Sequence, residues 1–249
     1  MPRFFVTASQ IGVRDGGKKT VMICGADASH ITRSLRMKTG ERLTVCDMAG
    51  VEYECAVTSV GDTVFADVLS EKKSDTEPPY KATLYQALIK GDKFDTVVQK
   101  AVECGVSRIV PVLTERCVVR LTKKDCEKKI ARWQRIADEA AKQCGRGALV
   151  EVCGLLTFNE AVKEAAKDSL PLFCYEAEDG TTLKSALREC GAVPKAVSFM
   201  IGSEGGFSVS EAEYAEQNGM IPVGLGKRIL RTETASSFVL ACISYEFEM

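Results

Sequence analysis

The stretch "AVSFMIGSEGGFSVSEAEYAEQNG", Ala196 to Gly219, decides the fold. It reads as a strand over "AVSFMI", a turn carrying three glycines, and a helix near Ser208–Asn218. In an open α/β sheet, ligands bind beyond the carboxyl ends of the strands, and "IGSEGGFS" sits at such an end. Gly202, Gly205 and Gly206 permit close backbone approach and positive φ. The turn is not a P-loop, because no Gly-Lys-Ser/Thr follows. It is neither G-x-G-x-x-G nor G-x-S-x-G, because Ser203 directly follows Gly202. Glu204 would repel a phosphate, so the loop suits a ligand that is neutral or cationic there. Taken alone, the loop is equally read as a tight connection in which Ser208 caps the helix.

Working outward, the same strand–helix alternation fills the chain after Tyr80. Strands are predicted over "ATLYQALI", "RIVPVL", "LVEV", "LPLFCY" and, shorter, "MIPVG". Helices are predicted over "DKFDTVVQKAVECG", about Lys123–Cys144, Asn159–Lys167, Thr181–Glu189, and from about Thr232. This alternation predicts a mostly parallel sheet with helices on both faces. Residues 1–70 differ: "TVMIC", "RLTVCD", "VEYECAVTSV" and "TVFADVL" are β-rich, with one short helix near Asp27. They predict a small β-barrel-like module. Residues 71–80, polar and ending in Pro-Pro, are read as a linker, and 81–249 as the second domain.

The chain has 249 residues, 45% hydrophobic and 27% charged, an ordinary balance with room for two cores. No apolar run approaches the ~20 residues of a membrane span, and "MPRFFVTASQ" lacks the long apolar stretch of a secretion signal, so none is expected. The eleven cysteines are irregularly spaced without a C-x-x-C pair, which argues against a disulfide framework and a zinc site. Reduced thiols in a cytoplasmic protein are expected. His30 is the single histidine, so a Ser-His-Asp or Cys-His mechanism would have to use it, and a multi-histidine metal site is excluded. Net charge is −1, yet Arg116–Arg146 holds ten Lys/Arg against four Asp/Glu. That basic stretch suits either an anionic partner or a solvated helix face; for Lys123–Lys129 the solvated face is preferred.

A second glycine-bearing strand end follows, "GLGKRILRTETASSF", Gly224 to Phe238. It again precedes a helix, which Thr232 or Thr234 would cap. Two such strand ends close together in the chain predict one pocket made from both loops.

These residues carry a family resemblance. "IGSEGGFS" with "LGKRILRTETA" resembles the SPOUT-class RNA methyltransferases, more narrowly the family that methylates N3 of a uridine in 16S ribosomal RNA. "HITRSLRMKTGERL", "KGDKFDTVVQKAVECGVSRIVPV" and "RWQRIADEAAKQCGR" extend the likeness over nearly the whole chain. The resemblance implies an RNA-binding PUA-like first domain and an α/β second domain with a carboxyl-terminal trefoil knot, an exception to unknotted folding. It implies S-adenosylmethionine bound by Ile201, Gly202, Gly205 and Gly206, by Leu225, Gly226, Ile229, Leu230, Thr234 and Ala235, and by a third loop at Tyr175 and Glu176. It implies a homodimer, 16S ribosomal RNA or the small ribosomal subunit as partner, and no metal. One departure stands out: the family loop commonly reads Gly-Pro-Glu-Gly-Gly, and Ser203 replaces the proline.

Methyl transfer to N3 of uracil requires its proton to leave. Arg231 is the candidate for charge stabilisation and Glu233 for base or positioner, with an arginine pair and helix cap as the plainer role of Glu233. N3 lies on the Watson–Crick edge, so the target must be unpaired or flipped out. Arg33, Arg36, Lys90, Lys100, Arg116 and Arg146 are the candidate phosphate contacts. His30 is expected to be structural, and Trp133 and "FVLAC" to be core or dimer surface. The alternatives are methylation of another RNA position, such as a ribose 2′-OH, or a non-catalytic RNA-binding assembly factor.

Overall fold

The computed structural model describes residues 1–14, 16–119 and 121–249. The chain forms two compact units, Met1–Glu77 with Ala141–Leu149, and Pro78–Ala140 with Val150–Met249.

The first unit holds strands β1 (Arg3–Phe5), β2 (Ile11–Val13), β3 (Lys19–Ile23), β4 (Arg42–Cys46), β5 (Val51–Ser59) and β6 (Val64–Lys73). Among the described residues they form one sheet in the order β1-β4-β5-β6-β3-β2. β1 pairs with β4 in parallel; the other pairs are antiparallel. Alternate residues point inward: Val21 and Ile23, Leu43 and Val45, Cys55 and Val57, Val64 and Ala66. Register shifts between Glu54/Cys55 and Val57/Ser59 bend β5, which lets a barrel-like sheet curl over that core. The short helix expected near Asp27 begins earlier, as α1 (Gly25–Ser29), and continues as a π-turn over His30–Ser34. His30 is exposed, edge-on to the ring of Phe4.

Residues 71–80 do not run as a plain linker. Glu71, Lys72 and Lys73 complete β6 opposite Tyr53, Glu52 and Val51. Their polarity reflects an exposed strand end. Ser74 Oγ then donates to Glu52 at 3.0 Å. Glu77 takes the Arg146 guanidinium through both oxygens, at 2.9 and 2.6 Å, and the N–H groups of Gly147 and Ala148. Arg3 donates to Glu52 and to the Arg146 carbonyl. This buried charge network draws Ala141–Leu149 out of the predicted second domain and into the first unit.

The second unit holds β7 (Lys81–Ala87), α2 (Lys93–Glu103), β8 (Arg108–Leu113), α3 (Lys123–Cys144, whose last turn belongs to the first unit), β9 (Glu151–Val152), β10 (Leu156–Thr157), α4 (Phe158–Ala165), β11 (Leu170–Cys174), α5 (Leu183–Glu189), β12 (Ala196–Ile201), α6 (Val209–Gln217), β13 (Ile221–Val223) and α7 (Thr232–Phe247). Its sheet runs β10-β8-β7-β12-β11-β13, with β9 beside β8, and each pair is parallel. The strands are near-continuous apolar runs because helices cover both faces; all five residues of β11 are buried. The Trp133 ring is buried, stacks on Phe94 at 3.9 Å, and donates Nε1–H to Asp95. It is core.

All eleven cysteines are free thiols, five buried, four half-buried, and Cys24 and Cys144 exposed. No helix among the described residues is long and apolar enough to cross a membrane.

Candidate active site

Three strands, β11, β12 and β13, end side by side, and a cavity of about 220 Å³ opens at their carboxyl ends. The turn after β12 forms its floor. Gly206 N–H donates to Ser203 O at 3.0 Å and closes the turn, with Gly206 at φ 66°. A Cβ on Gly202 would lie 3.1 Å from the Gly206 backbone, so the two glycines pack directly. Ser208 caps α6 and Glu211 completes its capping box. The bland reading and the pocket reading of this loop therefore hold together: the cap fixes the turn that faces the cavity.

The turn after β13 forms the opposite wall. Gly224 N–H donates to Thr181 O, and Leu183 N–H to Gly224 O. A Cβ on Gly224 would come within 2.5 Å of Glu178 O, which leaves room for glycine alone. The two walls are tied by one hydroxyl. Thr232 Oγ1 donates to Gly202 O at 2.7 Å and accepts from Gln86 Nε2 at 2.9 Å. Thr232 is thus not the cap of α7; that position is Arg231, which makes no side-chain capping bond. Gln86 is fully buried on β7, and its Oε1 has no partner among the described residues.

Of the residues implied for a cofactor, Tyr175, Glu176, Ile201, Gly202, Gly206, Leu225, Gly226, Ile229, Leu230 and Ala235 line this cavity. Gly205 and Thr234 do not: Gly205 is on the outer side of the turn, under the Arg116 side chain, and Thr234 is exposed on α7. Asp179, Lys227, Arg228, Phe207 and Thr232 also line it and were missed. Lys227 and Arg228 stand inside the quoted motif and were legible there. Asp179 depends on the β11–α5 loop folding back, which no local pattern announces.

Arg231 is exposed. Glu233, in the first turn of α7, has a buried Oε2 without a partner, and makes no ion pair among the described residues. Its plainer role, pairing with an arginine, is not seen. Burial pushes the Glu204 carboxyl up, but hydrogen bonds from its own N–H, from Lys90 N–H and from Lys93 together outweigh this and hold it below the ordinary carboxylate range.

Among the RNA-contact candidates, Arg33, Arg36, Lys90, Lys100 and Arg116 are exposed. Lys100 pairs with Glu103 at 2.7 Å. Arg146 is corrected: it is 5% exposed and spent on Glu77, so it offers no phosphate contact. On α3, Lys124 and Lys128 are exposed and Lys129 lies over the Trp133 ring, as on a solvated face; the side chain of Lys123 lies outside the described ones. No group of three or more His, Cys, Asp or Glu side chains among the described residues is placed to hold a metal ion.

Comparison with known proteins gives the following. Residues 76–244 match the RNA methyltransferase domain family, and residues 23–68 the RNA methyltransferase PUA domain. The chain is 32% identical to ribosomal RNA small subunit methyltransferase E of Bacillus subtilis, over 100% of this chain and 98% of that protein. A solved structure of ribosomal RNA small subunit methyltransferase E from Neisseria gonorrhoeae, bound to S-adenosyl methionine, superposes with a TM-score of 0.81 at 32% identity, covering 98% of this chain and 97% of that one. A methyltransferase from Legionella pneumophila solved with its cofactor gives 0.85 at 32% identity, with 98% and 97% covered.

Proposed function

Since the chain belongs to the ribosomal RNA small subunit methyltransferase E family of RNA methyltransferases, we propose that it methylates N3 of a specific uridine in 16S ribosomal RNA, with S-adenosylmethionine as donor. The observation that carries this reading is the tie between the two glycine turns at Thr232, which makes one cavity from the two motifs.

The residues present fit that donor. Gly202 packs directly on Gly206 in the turn that lines the cavity, which brings backbone rather than side chain to the wall. The wall carries Glu176 and Asp179 together with Lys227 and Arg228 and lacks a phosphate-binding loop, which suits a ligand that bears both charges and no phosphate. When bound, the cofactor supplies an electrophilic methyl group on a sulfonium. The chain's own residues do the rest. The glycine turns and the Tyr175–Glu176 loop orient the donor. Arg231 stabilises the negative charge that develops on uracil as N3 loses its proton. Glu233, whose Oε2 is kept from water and without a donor, accepts or positions that proton. Phosphate contacts fall to Arg33, Arg36, Lys90, Lys100 and Arg116.

The reading includes a knotted carboxyl-terminal segment, in which Gly224 packs directly against the backbone of Glu178 and Thr181. A homodimer is part of the same proposal. Phe238 and Tyr245 stand 37% and 72% exposed on α7, beside a cavity of about 550 Å³ shared with Leu183 and Leu187 of α5. A second copy covering this face would remove that apolar surface from water. The proposed location is the cytoplasm, where ribosomal RNA is found.

The test is nucleoside mass spectrometry of 16S RNA treated with the protein and S-adenosylmethionine. Appearance of 3-methyluridine is the expected result. A 2′-O-methyl product would move the target, and cofactor binding without any product would favour an assembly factor.

A further inference from the structure

Arg116 sits on the turn after β8, outside the cavity and exposed. Its Nη1 donates to Gly205 O at 2.9 Å. Its stem covers Gly205 so closely that a Cβ there would lie 3.2 Å from the Arg116 Cβ. Its carbonyl accepts from Ser203 Oγ at 3.4 Å. The neighbouring Glu115 takes Ser208 Oγ–H at 2.7 Å. The far side of the glycine turn is held by Glu204, which accepts from Lys90 N–H at 3.1 Å. The turn that lines the cavity is therefore pinned from outside, by segments that carry two of the exposed cations.

A guanidinium presents five N–H donors in a fixed fork. Gly205 O engages one nitrogen of Arg116, and the others meet no protein partner among the described residues. An anion can bind that free edge without breaking the bond to Gly205 O.

We propose that Arg116 is a positioning residue that couples RNA binding to cofactor binding. This rests on the methyltransferase reading above. An RNA phosphate on the free edge immobilises the guanidinium, which then holds the glycine turn in the shape that lines the cavity. By linkage the effect is reciprocal: RNA tightens the cofactor and the cofactor tightens RNA by one factor.

The experiment is calorimetric titration of S-adenosylhomocysteine, which cannot react, into the full chain with and without a saturating unmodified 16S transcript. In the wild type, RNA should lower the cofactor Kd by about fivefold or more. In R116A the RNA-free Kd should rise by about threefold to tenfold. Its coupling factor should fall to about one, with the melting temperature unchanged within about 1 °C. R116K keeps the charge but not the fork, so RNA affinity should recover while the coupling does not. Wild-type coupling in R116A, or full coupling in R116K, overturns the proposal. A wild type that binds the cofactor with no response to RNA overturns the coupling alone. A wild type that binds no cofactor overturns the methyltransferase reading with it.

Discussion

Replacing Thr232 by valine keeps the side-chain volume and removes one hydroxyl. That hydroxyl bonds Gly202 O at 2.7 Å and Gln86 Nε2 at 2.9 Å; Gln86 is fully buried and Gly202 is half-buried at the cavity wall. In T232V the Gln86 amide keeps only longer contacts, 3.2 Å to Ala87 O and 3.5 Å to Gly202 O. Stranding the buried donor costs about 1–3 kcal/mol, and the half-buried acceptor less than that. The residual contacts recover part of this, so the expected loss is about 2–3 kcal/mol. For a chain of this length each kcal/mol moves the melting temperature by about 2–4 °C, so T232V should melt roughly 5–10 °C lower. The hydroxyl joins the two walls of the cavity, so cofactor binding should weaken as well, by about tenfold in Kd. T232S restores the hydroxyl and should lie within about 0.5 kcal/mol of wild type. Scanning fluorimetry and calorimetric titration read both quantities. The reasoning is refuted if T232V melts within about 1 °C of wild type, or if T232S weakens binding as much as T232V does.

Other predictions are as direct. Gly224→Ala drives a Cβ to 2.5 Å from Glu178 O, a backbone atom that cannot rotate away, and should cost about 3 kcal/mol or more, seen in soluble yield and melting. Burial pushes Glu77 up, but Arg146 and the N–H groups of Gly147 and Ala148 outweigh it and hold the carboxyl below its ordinary 4.5. Its folded value is thus depressed, so its stabilisation is present above about pH 4.5 and is lost as pH falls through the lower folded value. E77Q should lose about 3 kcal/mol at pH 7 and converge with wild type in acid, which urea titrations against pH would show. Ser203→Pro removes hydroxyl contacts of 3.4 Å, too long to contribute much, and should bind the cofactor as tightly or better. Markedly weaker titration would show that the hydroxyl matters. The proposed dimer should be lost in Phe238→Asp, read by light scattering as a monomer where the wild type is a dimer, because the change places a charge on the exposed apolar face of α7.

Much of the second unit was legible because its strands are buried on both faces and its helices amphipathic. β8, β12 and α3 lie over the residues that the sequence indicates. β1, β2 and β10, with two or three residues each, are too short to show a period. The two glycine turns were legible as one pocket, since each stands between a strand and a helix. The clasp between them was not. A threonine before a helix reads as a cap, and only the register of β7 beside β12 brings Gln86 to it. Arg146 misled for a related reason. An arginine between two glycines reads as an exposed turn, because arginine is almost never buried unless paired. Its partner, Glu77, is 69 residues away in the chain.

The Glu77–Arg146 pair has a consequence for how this protein can be divided. The backbone passes between the two units at three places, Glu77/Pro78, Ala140/Ala141 and Leu149/Val150. A single cut at the Pro-Pro step therefore releases neither unit whole. An amino-terminal fragment would carry Glu77 with no cation to neutralise it, and a carboxyl-terminal fragment would carry a bare arginine in its place. To transplant the first unit onto another enzyme, one must move two pieces of sequence as one heritable block, the barrel-like sheet and the nine-residue graft that completes it.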